Sequence, residues 1–270
     1  MIRPRLVIIT FLSGGKGGAG TSTLTVNTAV ALSESFNNPV LVVDMGYGAN
    51  ATATKLFGKN PGTTGVYDFI FSKAKPNVLK ADEYKVYIIP NGAEDPNQIA
   101  YRLAQQFASR PEQFTRELTV TLRGFLQRTA VNLGVNHIII DLPSTAVGAH
   151  FFATVASSDI INIVATAGVT HADEAKEAYS LIEFNTGSIV NVIVNNVLPI
   201  ADSTAQFRGL TRNGGSVIPL SYSFYVKYIT DFLRDIALAY DIKDRWRRDF
   251  DDYINILKKQ IGIVMKRKGT

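Results

Sequence analysis

Short apolar runs alternate with helical patterns along most of this chain. Six aliphatic runs have the length of buried strands, at residues 6–12, 39–44, 86–90, 135–141, 160–166 and 189–197. Apolar residues at helical spacing lie between them, at 24–32, 66–71, 96–133 with a break at Pro111, and 169–184 with Thr170 as N-cap and Asp173 and Glu174 in the first turn. Because strands that alternate with helices build parallel sheets, the pattern predicts an α/β fold, a mostly parallel twisted sheet with helices on both faces.

Composition limits the class of protein. The 270 residues are 46% hydrophobic, enough for one large α/β domain or two small ones, and no linker divides residues 1–270, so we expect a single domain. The first apolar run follows arginines, but it ends in a glycine loop and lacks a cleavage site, so we expect a strand of a cytoplasmic protein. The absence of cysteine excludes disulfides, thiolate metal sites and cysteine nucleophiles.

The net charge of +5 is concentrated at the C-terminus, because residues 243–270 hold the whole excess and the rest is neutral. Besides Lys243, the basic side chains there are Arg245, Arg247, Arg248, Lys258, Lys259, Lys266, Arg267 and Lys268. Such an asymmetry indicates an anionic partner, either nucleic acid or lipid headgroups, although a merely solvated last helix would carry the same charges.

The last segment, residues 248–270, combines a helical pattern with a basic tail. Apolar residues from Phe250 to Val264 fall on one helical face, and lysines fall on the other. We expect residues 248–261 to pack on the sheet and residues 266–268 to form a flexible basic tip.

A glycine-rich loop follows the first predicted strand and precedes the first predicted helix. Five glycines lie within residues 14–20, and a strand, a glycine loop and a helix start together form a cradle for phosphate groups. The candidate nucleotide-binding residues are Gly15, Lys16, Gly17, Gly18, Gly20, Thr21, Ser22 and Thr23. Against the P-loop pattern G-x-x-x-x-G-K-[ST], the lysine position is Thr21 and the magnesium hydroxyl is Ser22. A glycine-rich turn without a ligand is the alternative.

Two aspartates end separate apolar strands. Asp44 follows the run 39–43, and Asp141 follows three isoleucines. Because ligands bind at the carboxyl ends of parallel strands, we expect both acids beside the glycine loop. An apolar strand that ends in aspartate is typical of the magnesium-side acid of a P-loop protein, so Ser22 and Asp141 are the candidate metal residues. Asp44 could instead be a strand-end cap.

Four landmarks occur in an order that resembles the ParA/MinD family of deviant P-loop ATPases. They are the K-G-G loop at residues 16–18, D…G-A-N-A-T at 44–52, I-I-I-D-L-P at 138–143, and V-N-N with V-I-P at 194–196 and 217–219. The resemblance covers residues 6–240 and implies a P-loop NTPase fold of SIMIBI-like type.

The resemblance also implies roles for individual residues. In the family, ATP and magnesium bind at the loop, and Lys16 matches a lysine that reaches the nucleotide of a partner subunit. Asp44 matches a catalytic switch I residue, Asn195 matches the residue that reads the adenine edge, and Pro219 belongs to the wall beside the base. The family dimerises around two nucleotides, a partner protein stimulates hydrolysis, and the dimer binds DNA or membrane.

The sequence departs from the family at two chemical positions. Thr21 replaces the phosphate lysine, and Gly46 replaces the second switch I aspartate. We therefore expect a nucleotide-binding, dimerising protein for partition, chromosome segregation or positioning, with weak or lost ATP hydrolysis and non-specific DNA binding through the basic tail. The alternatives are a slow ATPase that uses Lys16 in place of the missing lysine, and a structural or membrane-docking module without nucleotide.

Overall fold

The computed structural model describes residues 6–14, 17–46, 51–93, 95–142, 148–198 and 204–269. The strands of this part are β1 (Val7–Ser13), β2 (Val40–Asp44), β3 (Leu79–Lys80), β4 (Val86–Ile89), β5 (His137–Asp141), β6 (Ile160–Thr166), β7 (Ile189–Val197) and β8 (Val217–Ser221). The α-helices are α1 (Thr21–Ser35), α2 (Thr52–Leu56), α3 (Val66–Ser72), α4 (Pro96–Ser109), α5 (Pro111–Leu133), α6 (Ala149–Ser157), α7 (Val169–Leu181), α8 (Phe224–Tyr228) and α9 (Arg245–Arg267). A π-helical turn, Ile229–Leu233, continues α8.

All eight strands belong to one sheet, in the order β3-β4-β2-β5-β1-β6-β7-β8. Every neighbouring pair is parallel except β3 with β4. The strands β1, β2 and β5 therefore end at the same edge of the sheet, where a ligand is expected in an open parallel sheet. The predicted α/β fold is confirmed.

Alternate residues of the central strands face opposite sides of the sheet. In β1, Val7, Ile9 and Phe11 belong to one core, and Ile8 and Leu12 belong to the other. The first core is closed by α1, α2 and α9, and the second by α3, α4, α5, α6 and α7. Helices thus cover both faces of the sheet, as the sequence pattern predicts.

The last helix, α9, packs its apolar face against the first core. Trp246 and Phe250 are buried there, and Gln260 exchanges amide hydrogen bonds of 2.8 and 2.9 Å with Asn191 of β7. The predicted packing of residues 248–261 on the sheet is confirmed, so this apolar face is not exposed. Within the described residues, no helix is both long and apolar enough to cross a bilayer.

The end of α9 differs from the expectation. The helix continues to Arg267, and Lys268 Nζ lies 2.7 Å from Asp159 Oδ2 and 2.7 Å from the Leu6 carbonyl oxygen. These contacts fasten the helix end to the residues that precede β1 and β6. The prediction of a flexible basic tip at residues 266–268 is therefore wrong.

The start of α7 also differs. Its N-cap is Gly168, whose backbone is extended with φ 176°, and no described side chain caps it. Thr170 lies inside the helix, and Asp173 and Glu174 lie beyond its first turn. A capping residue needs a non-helical backbone, so the prediction of Thr170 as N-cap is wrong.

Candidate functional site

The glycine loop ends at the carboxyl edge of the sheet, between β1 and the start of α1. Gly18 and Gly20 have left-handed backbones, with φ of 92° and 93°. No described side chain caps the first N–H groups of α1, which leaves them available to an anion. Any side chain at position 20 would also overlap the Asn195 amide, so this position requires glycine for two reasons.

Asn195 lies at the end of β7 and fastens the loop. Its side-chain nitrogen donates a 2.9 Å hydrogen bond to the carbonyl oxygen of Ala19. The family resemblance implies that Asn195 reads the adenine edge, and its side chain lines a cavity beside the loop. The hydrogen bond to Ala19 also gives Asn195 a structural role, because it holds the glycine loop in place.

Ser22 and Asp141 come together as the motif predicts. Ser22 Oγ donates a 2.6 Å hydrogen bond to Asp141 Oδ2, and Thr25 Oγ1 donates one of 3.3 Å to Asp141 Oδ1. A hydroxyl and a carboxylate are oxygen ligands of the kind that magnesium prefers. The donor set therefore fits a magnesium ion, and Ser22 and Asp141 are the residues that would hold it.

The Asp141 carboxyl group has a raised pKa. Burial, and after it the neighbouring Asp44 carboxyl group, raise the pKa of Asp141 to about 7, against the hydrogen bonds from Ser22 and Thr25. The two acids are neighbours because Asp44 of β2 stands opposite Asp141 of β5 in the strand register. A cation beside Asp141 would offset this repulsion.

Asp44 has both carboxylate oxygens engaged within the protein. Thr54 donates to Oδ2 from its backbone nitrogen at 2.8 Å and from its hydroxyl at 2.7 Å, and the Gly46 N–H donates to Oδ1 at 2.9 Å. Burial raises the pKa of Asp44, although these hydrogen bonds oppose the rise. Its carboxylate anchors α2 to the end of β2 and does not line the cavity described next.

A cavity of about 390 Å³ lies between the glycine loop, the carboxyl ends of β2 and β5, and the π-helical turn after α8. The residues that line it are Ser13, Gly17, Gly18, Gly20, Thr21, Ser22, Thr23, Gly46, Thr52, Asp141, Leu142, Thr230 and Asp231. We call it the phosphate cavity. Thr21 and Gly46, the two departures from the family pattern, both lie in its wall and offer no charge there.

A smaller cavity of about 80 Å³ adjoins the phosphate cavity. It shares Gly18, Gly20, Thr23, Thr230 and Asp231 with the larger one. Its remaining lining residues are Leu24, Asn195, Asn196, Ser223, Val226, Lys227 and Trp246. The two spaces together could hold a phosphate chain and the group attached to it, and we call the smaller one the side cavity.

Four of the predicted site residues are not found at these cavities among the described residues. Asp44, as described above, lines neither cavity. Gly15 and Lys16 lie outside the described residues. Pro219 is exposed on β8 and lines neither cavity. The other predicted loop residues line the phosphate cavity.

Sequence reasoning missed Lys227, Thr230 and Asp231, which belong to α8 and the turn after it. The sequence signal that marks this segment is the run of aromatic residues between positions 222 and 232. Phe224, Tyr228 and Phe232 recur at intervals of four, a helical spacing, yet they are exposed rather than buried.

Comparison with known proteins identifies the family. A family model described as the CobQ/CobB/MinD/ParA nucleotide binding domain matches residues 10–258. A search of curated proteins gives no significant match. A putative plasmid partition protein from Borrelia burgdorferi bound to AMPPNP has a TM-score of 0.72 at 18% identity, over 94% of this chain and 99% of that chain.

Two further solved structures have the same fold. A Cyanothece McdA variant in complex with ATP has a TM-score of 0.70 at 18% identity, over 94% of this chain and 97% of that chain. MinD from Pyrococcus horikoshii complexed with Mg-ADP has a TM-score of 0.68 at 18% identity, over 96% of this chain and 99% of that chain.

Proposed function

This chain belongs to the CobQ/CobB/MinD/ParA nucleotide-binding domain family, and we propose that it binds ATP with magnesium in a partition or positioning role. The observation that carries the proposal is the phosphate cavity, where the glycine loop, the open start of α1 and the Ser22–Asp141 pair line one space. The solved relatives that contain ATP, AMPPNP or Mg-ADP support the choice of ligand.

In this proposal, different residues of the chain bind the phosphate groups and the magnesium ion. The N–H groups at the start of α1 face the phosphate oxygens, and Ser22 and Asp141 hold the ion. When bound, magnesium offsets negative charge on those oxygens. Asn195 keeps the loop in the shape that binding requires, through its bond to Ala19.

We propose further that hydrolysis is slow or absent. Phosphoryl transfer depends on positioning and on neutralising charge. Thr21 and Gly46 line the phosphate cavity without charge at the two positions where the family pattern has lysine and aspartate. Loss of one transition-state contact commonly lowers a rate by roughly 10²–10³.

The test of slow hydrolysis restores the lysine. In Thr21→Lys, we expect phosphate release from ATP to rise at least tenfold, whereas Gln127→Lys adds the same charge on the exposed face of α5 and should change nothing. If Thr21→Lys has no effect and Lys16→Ala abolishes a measurable wild-type rate, the chain is instead a slow ATPase that relies on Lys16.

We also propose that the protein holds DNA non-specifically through α9. The exposed basic residues of this helix are Arg245, Arg248, Lys258, Lys259, Lys266 and Arg267, whereas Arg247 is half-buried and pairs with Asp251 at 3.2 Å. The buried apolar face of α9 argues against the membrane alternative, because a helix that lies in a bilayer surface must present that face to lipid.

The DNA proposal is tested with charge reversals that leave the core untouched. The double variant Lys258→Glu with Lys259→Glu should weaken binding to random duplex DNA and flatten the salt dependence of that binding. The control double variant, Lys75→Glu with Lys80→Glu, reverses two exposed lysines outside α9 and should leave DNA binding unchanged. Equal binding by both double variants would contradict the proposal, and selective binding to anionic liposomes would favour the membrane alternative.

A further inference from the structure

The described wall of the phosphate cavity carries no positive charge. Among the described residues that line it, the charged side chains are Asp141 and Asp231, and none is basic. A phosphate chain brings several further negative charges into this space. A magnesium ion at Ser22 and Asp141 would offset part of them, and the residue at the usual lysine position, Thr21, offsets none.

Lys227 is a basic side chain beside the phosphate cavity. It lines the side cavity together with Gly18, Gly20 and Thr23, which also line the phosphate cavity, and no other described residue that lines either cavity is basic. Its side chain is 60% exposed, so packing does not hold it in place. A lysine carries its charge on a flexible four-carbon stem that can turn toward the loop.

In the structure, Asp231 holds Lys227 at the rim of the cavities. The Nζ atom lies 2.5 Å from Asp231 Oδ2, one helical turn further along the chain. The hydrogen bond to Asp231 raises the pKa of Lys227, so the amine is charged at neutral pH. Asp231 itself lies on the π-helical turn, a geometry that is frequent at functional sites.

Building on the proposed nucleotide binding, we propose that Lys227 supplies the cationic phosphate contact that Thr21 cannot make, and that Asp231 competes with the nucleotide for it. On binding, the Lys227 amine leaves the carboxylate for phosphate oxygens, and Asp231 turns to solvent, where its side chain is already 47% exposed. A surface ion pair of this kind contributes little to stability, so exchanging it costs little.

The two residues should act in opposite directions, which separates this role from a structural salt bridge. Lys227→Met keeps the stem and removes the charge, and it should weaken ATP binding about 10–100-fold, the worth of a charged hydrogen bond. The loss should be larger for ATP than for AMP, and Lys227→Arg should restore most of it. Asp231→Asn should tighten ATP binding, because it removes a competing acceptor and a repelling charge.

The experiment is calorimetric titration of each purified variant with ATP, ADP and AMP. The control pair is Lys243 and Asp241, a surface ion pair of 2.9 Å that lines neither cavity, with the variants Lys243→Met and Asp241→Asn. Both controls should bind nucleotide as the wild type does. Unfolding curves for all variants check that the fold is unchanged.

Equal ATP affinity in the wild type and Lys227→Met would overturn the inference and leave the proposed function in place. Equal weakening by Lys227→Met and Asp231→Asn would also overturn it, because the pair would then be structural. A wild-type protein that binds no nucleotide would overturn the proposed function and this inference together.

Discussion

Asp141 is the residue on which the proposed magnesium binding depends. We expect Asp141→Asn to abolish the gain in ATP affinity that magnesium gives the wild type, because the amide keeps the shape and loses the charge. Titration with and without magnesium measures this gain, with Asp252→Asn on the exposed face of α9 as the control. An undiminished magnesium effect in Asp141→Asn would rule it out as the ligand.

His137 makes the protein sensitive to acid. It is buried in β5 against Phe36, with ring centroids 4.6 Å apart, and neither ring nitrogen has a hydrogen-bond partner among the described residues. Burial lowers its pKa to about 4. Because the unfolded chain binds the proton more tightly, the contribution of this neutral ring is complete above about pH 6.5 and is lost as the pH falls toward 4.

The expected slope over that interval is up to about 1.4 kcal/mol of unfolding free energy per pH unit. His137→Leu removes this titrating group and should reduce the slope by that amount. The buried His150, whose pKa burial also lowers to about 4, keeps its own contribution in the variant. Denaturant unfolding at several pH values measures the slope for both proteins. The half-buried His171, whose Nδ1 lies 3.2 Å from Glu174 Oε2, gives the control variant His171→Leu, and an equal flattening there would contradict the assignment to His137.

The sequence pattern around each residue predicts the wall of the site that carries the Asp141 carboxylate and the Ser22 hydroxyl. Asp141 ends an apolar strand, Ser22 begins a helix, and a parallel sheet brings both to one edge. The opposite wall could not be predicted this way, because Lys227 and Asp231 come from an irregular segment about 200 residues later in the chain. No local motif marks them, and only tertiary folding brings them beside the loop.

At the scale of elements, the strands were predicted best. The boundaries of β6 and β7 agree with the sequence because each apolar run is bounded by polar or turn residues. α2, α6 and α8 were missed, since they have at most nine residues and too few turns for a clear period. α9 begins three residues earlier than predicted, because the Asp244 side chain accepts a hydrogen bond from the Arg247 N–H.

The attachment of α9 to the sheet can be tested at Gln260. Its amide bonds to Asn191, and Gly214 supplies a further acceptor at 3.2 Å. Gln260→Leu should lower the unfolding free energy by about 1–3 kcal/mol, because it leaves the buried Asn191 amide with unmet hydrogen bonds. Asn255→Leu on the exposed face of the same helix should cost much less.

Denaturant unfolding of these two variants provides the comparison. Asn191→Leu combined with Gln260→Leu should recover part of the loss, since both polar partners are then gone. Strictly additive losses in the double variant would contradict a coupled pair.

On the scale of the whole molecule, an exposed aromatic row lies beside the cavities. Phe224, Tyr228 and Phe232 stack along one side of α8 and its turn, with ring centroids 6.1 and 5.3 Å apart. Phe232 is 73% exposed, and large exposed aromatic groups of this kind mark interaction surfaces. The family resemblance implies a dimer that forms around nucleotide, and we propose that a second copy of the chain covers this row in such a dimer.

The dimer proposal predicts that Phe232→Ser remains monomeric with ATP while it binds one nucleotide per chain. Sedimentation with and without ATP measures the oligomeric state. Tyr101→Ser, 64% exposed on α4, is the matched control and should dimerise as the wild type does. A wild-type protein that stays monomeric with ATP, or a Phe232→Ser protein that still dimerises, would contradict the proposal.

Calorimetric titration of the wild-type protein with ATP and ADP, with and without magnesium, tests the central claim most directly when phosphate release is followed on the same sample. We predict saturable binding that magnesium strengthens, with little or no phosphate released. Absence of binding up to millimolar nucleotide would contradict the claim that the phosphate cavity holds a nucleotide. Binding with rapid release would contradict the proposed loss of hydrolysis.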